Sequence, residues 1–232
     1  FDIDDGSLLG SFGETAAFSS DPVALAFDAG GDLYLADSDG SVRVYDGESG
    51  FFLSDFADVA EAGESVAAMA FDPVSGDLLV VDGGVGEAVR AYDSAGADLG
   101  DLGDTGTALA QAVDLAFLQE GASTSLFIAD AAAGDLVGCD RTGSSCAALA
   151  ISLLAAGGPT AVAVNPAASV STADLLVADG VNLYVVACDS SGSTCSVFGD
   201  TASGLSAVAD IVFAPPSVPT TTTTTTSTTT TL

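Results

Sequence analysis

PVALAFDAGGDLYLADSDGSVRVYDGESGFFLSDF, residues 22–56, decides the architecture of this chain, because the same phrase returns three more times. It reappears over 65–102 as SVAAMAFDPVSGDLLVVDGGVGEAVRAYDSAGADLGDL and over 112–151 as AVDLAFLQEGASTSLFIADAAAGDLVGCDRTGSSCAALAI. A fourth copy, PTAVAVNPAASVSTADLLVADGVNLYVVACDSSGSTCSVF, covers 159–198. Matching aspartates stand at Asp37, Asp82, Asp130 and Asp179, 45 to 49 residues apart by subtraction. Within each copy the apolar runs are short and rich in β-branched and aromatic residues, and Gly/Asp/Ser turns separate them. Such runs are strands joined by hairpins, four to a copy. In the first copy they fall at about 23–27, 33–36, 42–45 and 51–56.

Four antiparallel strands repeated at this period predict an all-β fold, a β-propeller built from four-stranded blades. The expected blades are about 22–60, 65–104, 111–153 and 158–200. Residues 205–213 (LSAVADIVF) match the first run of each copy, and 1–12 (FDIDDGSLLGSF) match the outer pair of runs. Five blades are therefore expected, the last made from 204–215 together with 1–13, which closes the ring and removes open sheet edges. The counterpart of LYLAD is missing from that last blade.

The phrase also resembles the NHL repeat family. The resemblance rests on Phe27-Asp28, on Gly31-Asp32-Leu33-Tyr34-Leu35-Ala36-Asp37 and on Arg43-Val44-Tyr45-Asp46, and again on Gly76-Asp77-Leu78-Leu79-Val80-Val81-Asp82 and Arg90-Ala91-Tyr92-Asp93. The third and fourth copies keep Ile128-Ala129-Asp130 and Val177-Ala178-Asp179 but lack the aligned arginine, and the family's Asn-His pair is absent throughout. The resemblance implies a propeller of the extracellular bacterial or archaeal type, covering about 1–216. Some members of such families place a His-ligated metal in the channel; this chain has no histidine to receive that role.

Composition narrows the chemistry further. Asp and Glu number 33 against three basic residues, a formal net charge of −30, so nucleic acid and anionic membranes are repelled. With no His and no Lys, the Ser-His-Asp triad, His-ligated zinc, Schiff-base chemistry and the P-loop are all excluded. The chain is read as non-enzymatic: most catalytic templates are gone, with an all-carboxylate mechanism still open. No apolar run reaches the length of about 18 residues that a membrane helix needs. The chain starts at Phe1, which fits removal of a signal peptide.

The four cysteines fall into two copies of one pattern, Cys139-Asp-Arg-Thr-Gly-Ser-Ser-Cys146 and Cys188-Asp-Ser-Ser-Gly-Ser-Thr-Cys195. A hairpin sets such residues opposite each other, so the spacing predicts the local disulfides Cys139–Cys146 and Cys188–Cys195. A zinc site made from all four is the alternative. Disulfides predict an oxidising, extracellular location, secreted or at the cell surface.

Three further features carry candidate sites. Asp37-Ser-Asp39-Gly-Ser and Asp2-Ile-Asp4-Asp5-Gly resemble fragments of calcium loops, though neither has a closing glutamate. Asp114 and Asp210 stand where the other copies have Ala24, Ala68 and Ala161, on strands expected to line the channel. They are candidates for a cation site or a proton-sharing pair. Asp37, Asp39, Asp114 and Asp210 are thus the metal candidates, with calcium the cofactor to consider, against ordinary Asp turns. The four repeated aspartates are expected to make one common turn bond, and Arg43 and Arg90 to pair with local carboxylates.

After Pro215, Pro216 and Pro219 the composition changes to a tail, 217–232. Thr220, Thr221, Thr222, Thr223, Thr224, Thr225, Thr226, Ser227, Thr228, Thr229, Thr230 and Thr231 are predicted O-glycosylation sites, as in a stalk. Threonine also favours extended strands, so the tail is a candidate strand donor to the incomplete blade of a second copy. The expected function is a structural or adhesion module that self-associates into a filament or surface layer. The alternative is a calcium- or small-ligand-binding module of a larger surface protein.

Overall fold

The structure is a computed structural model and describes residues 20–59, 66–83, 89–103, 105, 109–120, 122–149, 151–165, 174–200 and 208–211. Among these, sixteen β-strands form four antiparallel sheets of four strands each, every sheet drawn from one copy of the repeat. Sheet 1 holds β1 (Pro22–Phe27), β2 (Leu33–Asp37), β3 (Ser41–Tyr45) and β4 (Phe52–Asp58); sheet 2 holds β5 (Val66–Phe71), β6 (Leu78–Asp82), β7 (Val89–Tyr92) and β8 (Asp98–Asp101). In sheet 3 come β9 (Ala112–Glu120), β10 (Ser123–Asp130), β11 (Asp135–Asp140) and β12 (Cys146–Leu149). Sheet 4 follows with β13 (Pro159–Val164), β14 (Leu175–Asp179), β15 (Tyr184–Cys188) and β16 (Cys195–Gly199). Spatial order within each sheet is sequence order, as expected when every connection is a hairpin.

The sheets stack in succession, and the repeat makes the contact the same each time. Lining the copies up on Ala24, Ala68, Asp114 and Ala161 puts Met69, Leu115 and Val162 at one position. Each is buried against the preceding sheet: Met69 with Ala36 and Val42, Leu115 with Leu79 and Val81, Val162 with Phe127 and Leu136. The second strands supply the centre of each core, with Leu78, Leu126 and Leu175 fully enclosed. They sit between two sheet partners and are covered on both faces, so their sequence reads as a continuous apolar run rather than an alternating one.

A second contact repeats at the outer hairpins. Gly96, Gly143 and Gly192 are repeat-equivalent and all have positive φ (79°, 67° and 69°). Their turns lie against the end of the preceding sheet, so that a Cβ on Gly96 would meet the Phe56 carbonyl oxygen at 2.5 Å and one on Gly143 the Leu102 carbonyl oxygen at 2.5 Å. A Cβ on Gly192 would come within 3.0 Å of the Leu149 side chain. Glycine is needed there both for the left-handed backbone and for the close approach.

Among the described residues the four-sheet array is not closed. Residues 1–13, expected in a fifth blade, lie outside the described residues. Of 204–215 only 208–211 are described, and they join none of the four sheets. Val208 and Ile211 nevertheless pack with Ala161, Ala178 and Val185 of sheet 4, at the positions where Ala112 and Leu115 pack on sheet 2.

Candidate functional site

The repeated aspartate ends the second strand of each sheet, and in sheets 3 and 4 it does one job. Asp130 is fully buried and accepts hydrogen bonds from the backbone N–H of Ala110 (2.6 Å), Gln111 (3.0 Å) and Ala133 (3.1 Å). Asp179, equally buried, accepts from the N–H of Ala155 (2.8 Å), Val181 (3.0 Å) and Asn182 (2.7 Å). Each carboxylate thus ties the turn after the second strand to the chain entering the first. Backbone amides that no ladder reaches are satisfied, and the charge is compensated without a counter-ion.

Sheet 1 departs from this pattern. Asp37 is fully buried but pairs through Oδ2 with the Arg43 guanidinium, leaving Oδ1 buried without a hydrogen-bond partner among the described residues. Ser20 Oγ, two residues before β1 at the position of Ala110, is likewise buried and has no hydrogen-bond partner among the described residues. The metal candidate Asp37 is therefore engaged by a cation of the chain itself. Its neighbour Asp39 is exposed and accepts from the Ser41 N–H at 3.1 Å, as in an Asx turn.

The arginines take the roles expected for them. Arg43 also lies 3.6 Å from Asp55, and Arg90 lies 3.1 Å from Asp98 and 3.9 Å from Asp101. Arg141, for which no partner was foreseen, crosses from sheet 3 to the preceding sheet and bonds Asp72 at 2.5 Å. Burial works to raise the Asp72 pKa, but the Val74 N–H, Arg141 and Ser75 more than offset it and hold the group below the ordinary carboxylate value.

Asp114 and Asp210 come close enough to interact. Asp114 projects from β9 to accept the Val162 N–H of β13 at 2.7 Å and its neighbour's Leu115 N–H at 2.8 Å, linking sheet 3 to sheet 4. Burial pushes its pKa up to about 6; the two N–H bonds pull the other way, and the charge on Asp210 adds to the rise. Asp210 is exposed and accepts from the Ile211 N–H at 2.7 Å. Among the described residues, no three Asp, Glu or Cys side chains gather as a metal ion would require.

The cysteines pair locally, Cys139 with Cys146 and Cys188 with Cys195, which leaves no thiolate for zinc. Each bridge joins the third strand to the fourth across directly paired residues. The turn between is held by one aspartate, Asp140 or Asp189. Asp140 takes bonds from the Thr142 hydroxyl and the Thr142 and Ser144 N–H groups. Asp189 takes them from the Ser191 and Ser193 hydroxyls and the Ser193 and Thr194 N–H groups. These donors, the hydroxyls of Thr142 and Ser191 first, hold both carboxyls below their usual range. The Thr-rich tail and its predicted glycosylation sites lie outside the described residues.

Two features went unread in the sequence. One is apolar exposure concentrated in sheet 1: Val23, Leu25, Phe27, Phe51, Phe52 and Leu53 are all exposed. Leu25 is 61% exposed, whereas its equivalents Met69, Leu115 and Val162 are at 7%, 5% and 3%. The other is a cavity of about 400 Å³ at the ends of the first strands of sheets 2, 3 and 4, walled by Phe71, Pro73, Phe117 and Val164 with Gln119 and Asn165. The signal for it was the column Phe27, Phe71, Phe117, Val164, Phe213, three residues after each Ala/Asp position.

In comparisons with known proteins, no family model matches the chain and no curated protein is significantly similar to it.

Proposed function

We propose that this chain is a secreted or cell-surface β-propeller of NHL-like type, a structural or adhesion module that assembles with copies of itself. The observation that carries this reading is the bare packing face of sheet 1. Leu25 and Phe27 stand exposed in a chain of net charge −30 where three equivalent faces are covered by a neighbouring sheet. Leaving a Leu or Phe side chain exposed forgoes about 1.5–3 kcal/mol. In this reading a fifth blade, 204–215 with 1–13, lies between sheet 4 and sheet 1. It lacks its second strand, and the extended Thr-rich run of another copy supplies it. Head-to-tail donation of that kind propagates as a filament. The buried carboxylates support a structural role, since Asp37, Asp130 and Asp179 bind the chain's own groups. The two disulfides fit an oxidising compartment.

Light scattering on the full chain and on a chain ending at 216 tests the proposal. The full chain is expected to run at multiples of 22.6 kDa and the shortened one as a monomer. A monomer in both cases overturns the assembly. A second reading, a calcium-binding module, is favoured by the repulsion between Asp114 and Asp210, which a cation between them would relieve. It requires that millimolar calcium raise the melting temperature and that Asp210→Asn abolish the rise.

A further inference from the structure

The first strands of the sheets form a row in which β1, β5, β9 and β13 touch one another in succession. Residues 208–211 add a further member. Val208 packs on Ala161 and Ala178 of sheet 4, and its carbonyl accepts from Thr160 Oγ1 at 2.9 Å. The next two residues, Ala209 and Asp210, are exposed. At the other end of the row β1 is an edge strand of its sheet, and Leu25 on it is exposed.

Asp114 shows how one member of the row is tied to the next. Its Oδ1 accepts the N–H of its own neighbour Leu115 at 2.8 Å, and its Oδ2 accepts the Val162 N–H of β13 at 2.7 Å. Asp210 occupies the repeat position of Asp114 and makes the first of these two bonds, its Oδ1 accepting the Ile211 N–H at 2.7 Å. The second bond has no counterpart among the described residues. Its donor half is present on β1, which repeats the register of β13. Ala24 faces Ala36 as Ala161 faces Ala178, and Leu25 faces Leu35 as Val162 faces Val177. Each strand has its irregularity just before, between Pro22 and Ala24 or between Pro159 and Ala161. The Leu25 N–H therefore takes the direction of the Val162 N–H, away from the second strand and out of the sheet edge.

We infer that Asp210 is a clasp between the two ends of the row, its Oδ2 accepting the Leu25 N–H of the same chain. A carboxylate-to-amide bond is charge-assisted, and an edge amide needs an acceptor. Copies with Ala24, Ala68 and Ala161 at this position lack the oxygen for such a bond, so the repeat places it at two joints only: from sheet 3 to sheet 4, and from 208–211 to sheet 1. The clasp rests on the propeller reading above, not on self-association. It assigns the inner strand of the closing blade to the chain itself and leaves the missing second strand to another copy.

Amide exchange followed by NMR on the labelled full chain, with a chelator present so that no cation takes part, tests this. Asp210→Ala is expected to speed exchange of the Leu25 amide about tenfold and to leave Val162 as it was. Asp210→Asn, which keeps an acceptor oxygen in place, is expected to hold the protection. A Leu25 amide indifferent to Asp210→Ala, or equally exposed by Asp210→Asn, overturns the clasp. A nuclear Overhauser contact between the Leu25 methyls and Asp210 in the native chain, the counterpart of Leu115 against Ala68, reports the ring itself. Its absence overturns the ring and the clasp together; its presence with an indifferent Leu25 amide leaves the ring and removes the clasp. On a chain ending at 216 the Leu25 protection is expected to persist on dilution whether or not the full chain assembles, and protection that falls on dilution would overturn a clasp within one chain.

Discussion

The outer hairpin of this repeat is held together in two different ways, and the division runs through the middle of the chain. In sheets 1 and 2 the third strand ends in Tyr45 or Tyr92 and carries Arg43 or Arg90 two residues earlier. In sheets 3 and 4 the same two positions are Cys139 or Cys188, and Val137 or Val186. The first pair of hairpins is joined by ion pairs from strand three to strand four, Arg43 with Asp55 and Arg90 with Asp98 and Asp101. The second pair is joined by disulfides at the tyrosine position. Tyr45 stacks edge-on against Phe52 at 5.8 Å, where Cys139 bonds Cys146. A common aspartate follows in all four copies and accepts amides of the turn: Asp46, Asp93, Asp140 and Asp189. The turn is therefore set by the aspartate, and the clip behind it can be exchanged. Aromatic area with a charge pair, or a covalent bond, does the same work on one backbone.

Removing both disulfides should have the largest effect. Closing a loop of this size contributes about 2 kcal/mol, so replacing all four cysteines with serine should cost about 4 kcal/mol. Urea unfolding measures the total. Hydrogen exchange should place the loss in β11, β12, β15 and β16 and leave sheets 1 and 2 as they were.

Arg43→Met comes next, at about 3 kcal/mol and with little dependence on salt. Its partner Asp37 is fully buried, and a buried carboxylate stripped of its cation is costly. Thermal melts at low and high ionic strength check both statements.

Asp114 should make stability depend on pH in the direction opposite to most carboxylates. Its pKa is about 6 in the folded chain against an ordinary 3.8, so between roughly pH 4 and 6 the folded state holds the extra proton. That contribution is complete below pH 4 and is lost as pH rises through 6, about 3 kcal/mol at the limit. Asp114→Asn should flatten this part of the profile, so that native chain and variant diverge as pH rises from 4 to 7. Parallel curves would show that Asp114 is ionised throughout.

The smallest effect belongs to Arg90→Met. Arg90 and its partners Asp98 and Asp101 are all partly exposed, so the loss should stay below about 1 kcal/mol and vanish in molar salt. If Arg90→Met costs as much as Arg43→Met, the contrast between a buried and a surface clip is wrong.

The strands were legible because their information is local. The expected runs at 33–36 and 42–45 differ from β2 and β3 by one residue at an end, and the hairpin spacing gave the cysteine partners directly. The shared aspartate was visible as a column, but its donors were not, since Ala110 and Ala155 precede the first strand by residues that have no common sequence. Arg141 was opaque for the same reason: its partner Asp72 is 69 residues away and belongs to another copy. The expected fifth blade has no such support among the described residues: of its segments only 208–211 are described, and they join none of the four sheets.

An electron microscopy map of the native full-length material tests the central claim, that the bare face of sheet 1 is completed by a blade needing a strand from another copy. The account predicts filaments in which a fifth sheet covers Leu25 and contains one strand traced to the neighbouring subunit. Separate particles of four sheets, with Leu25 and Phe27 facing solvent, would contradict it.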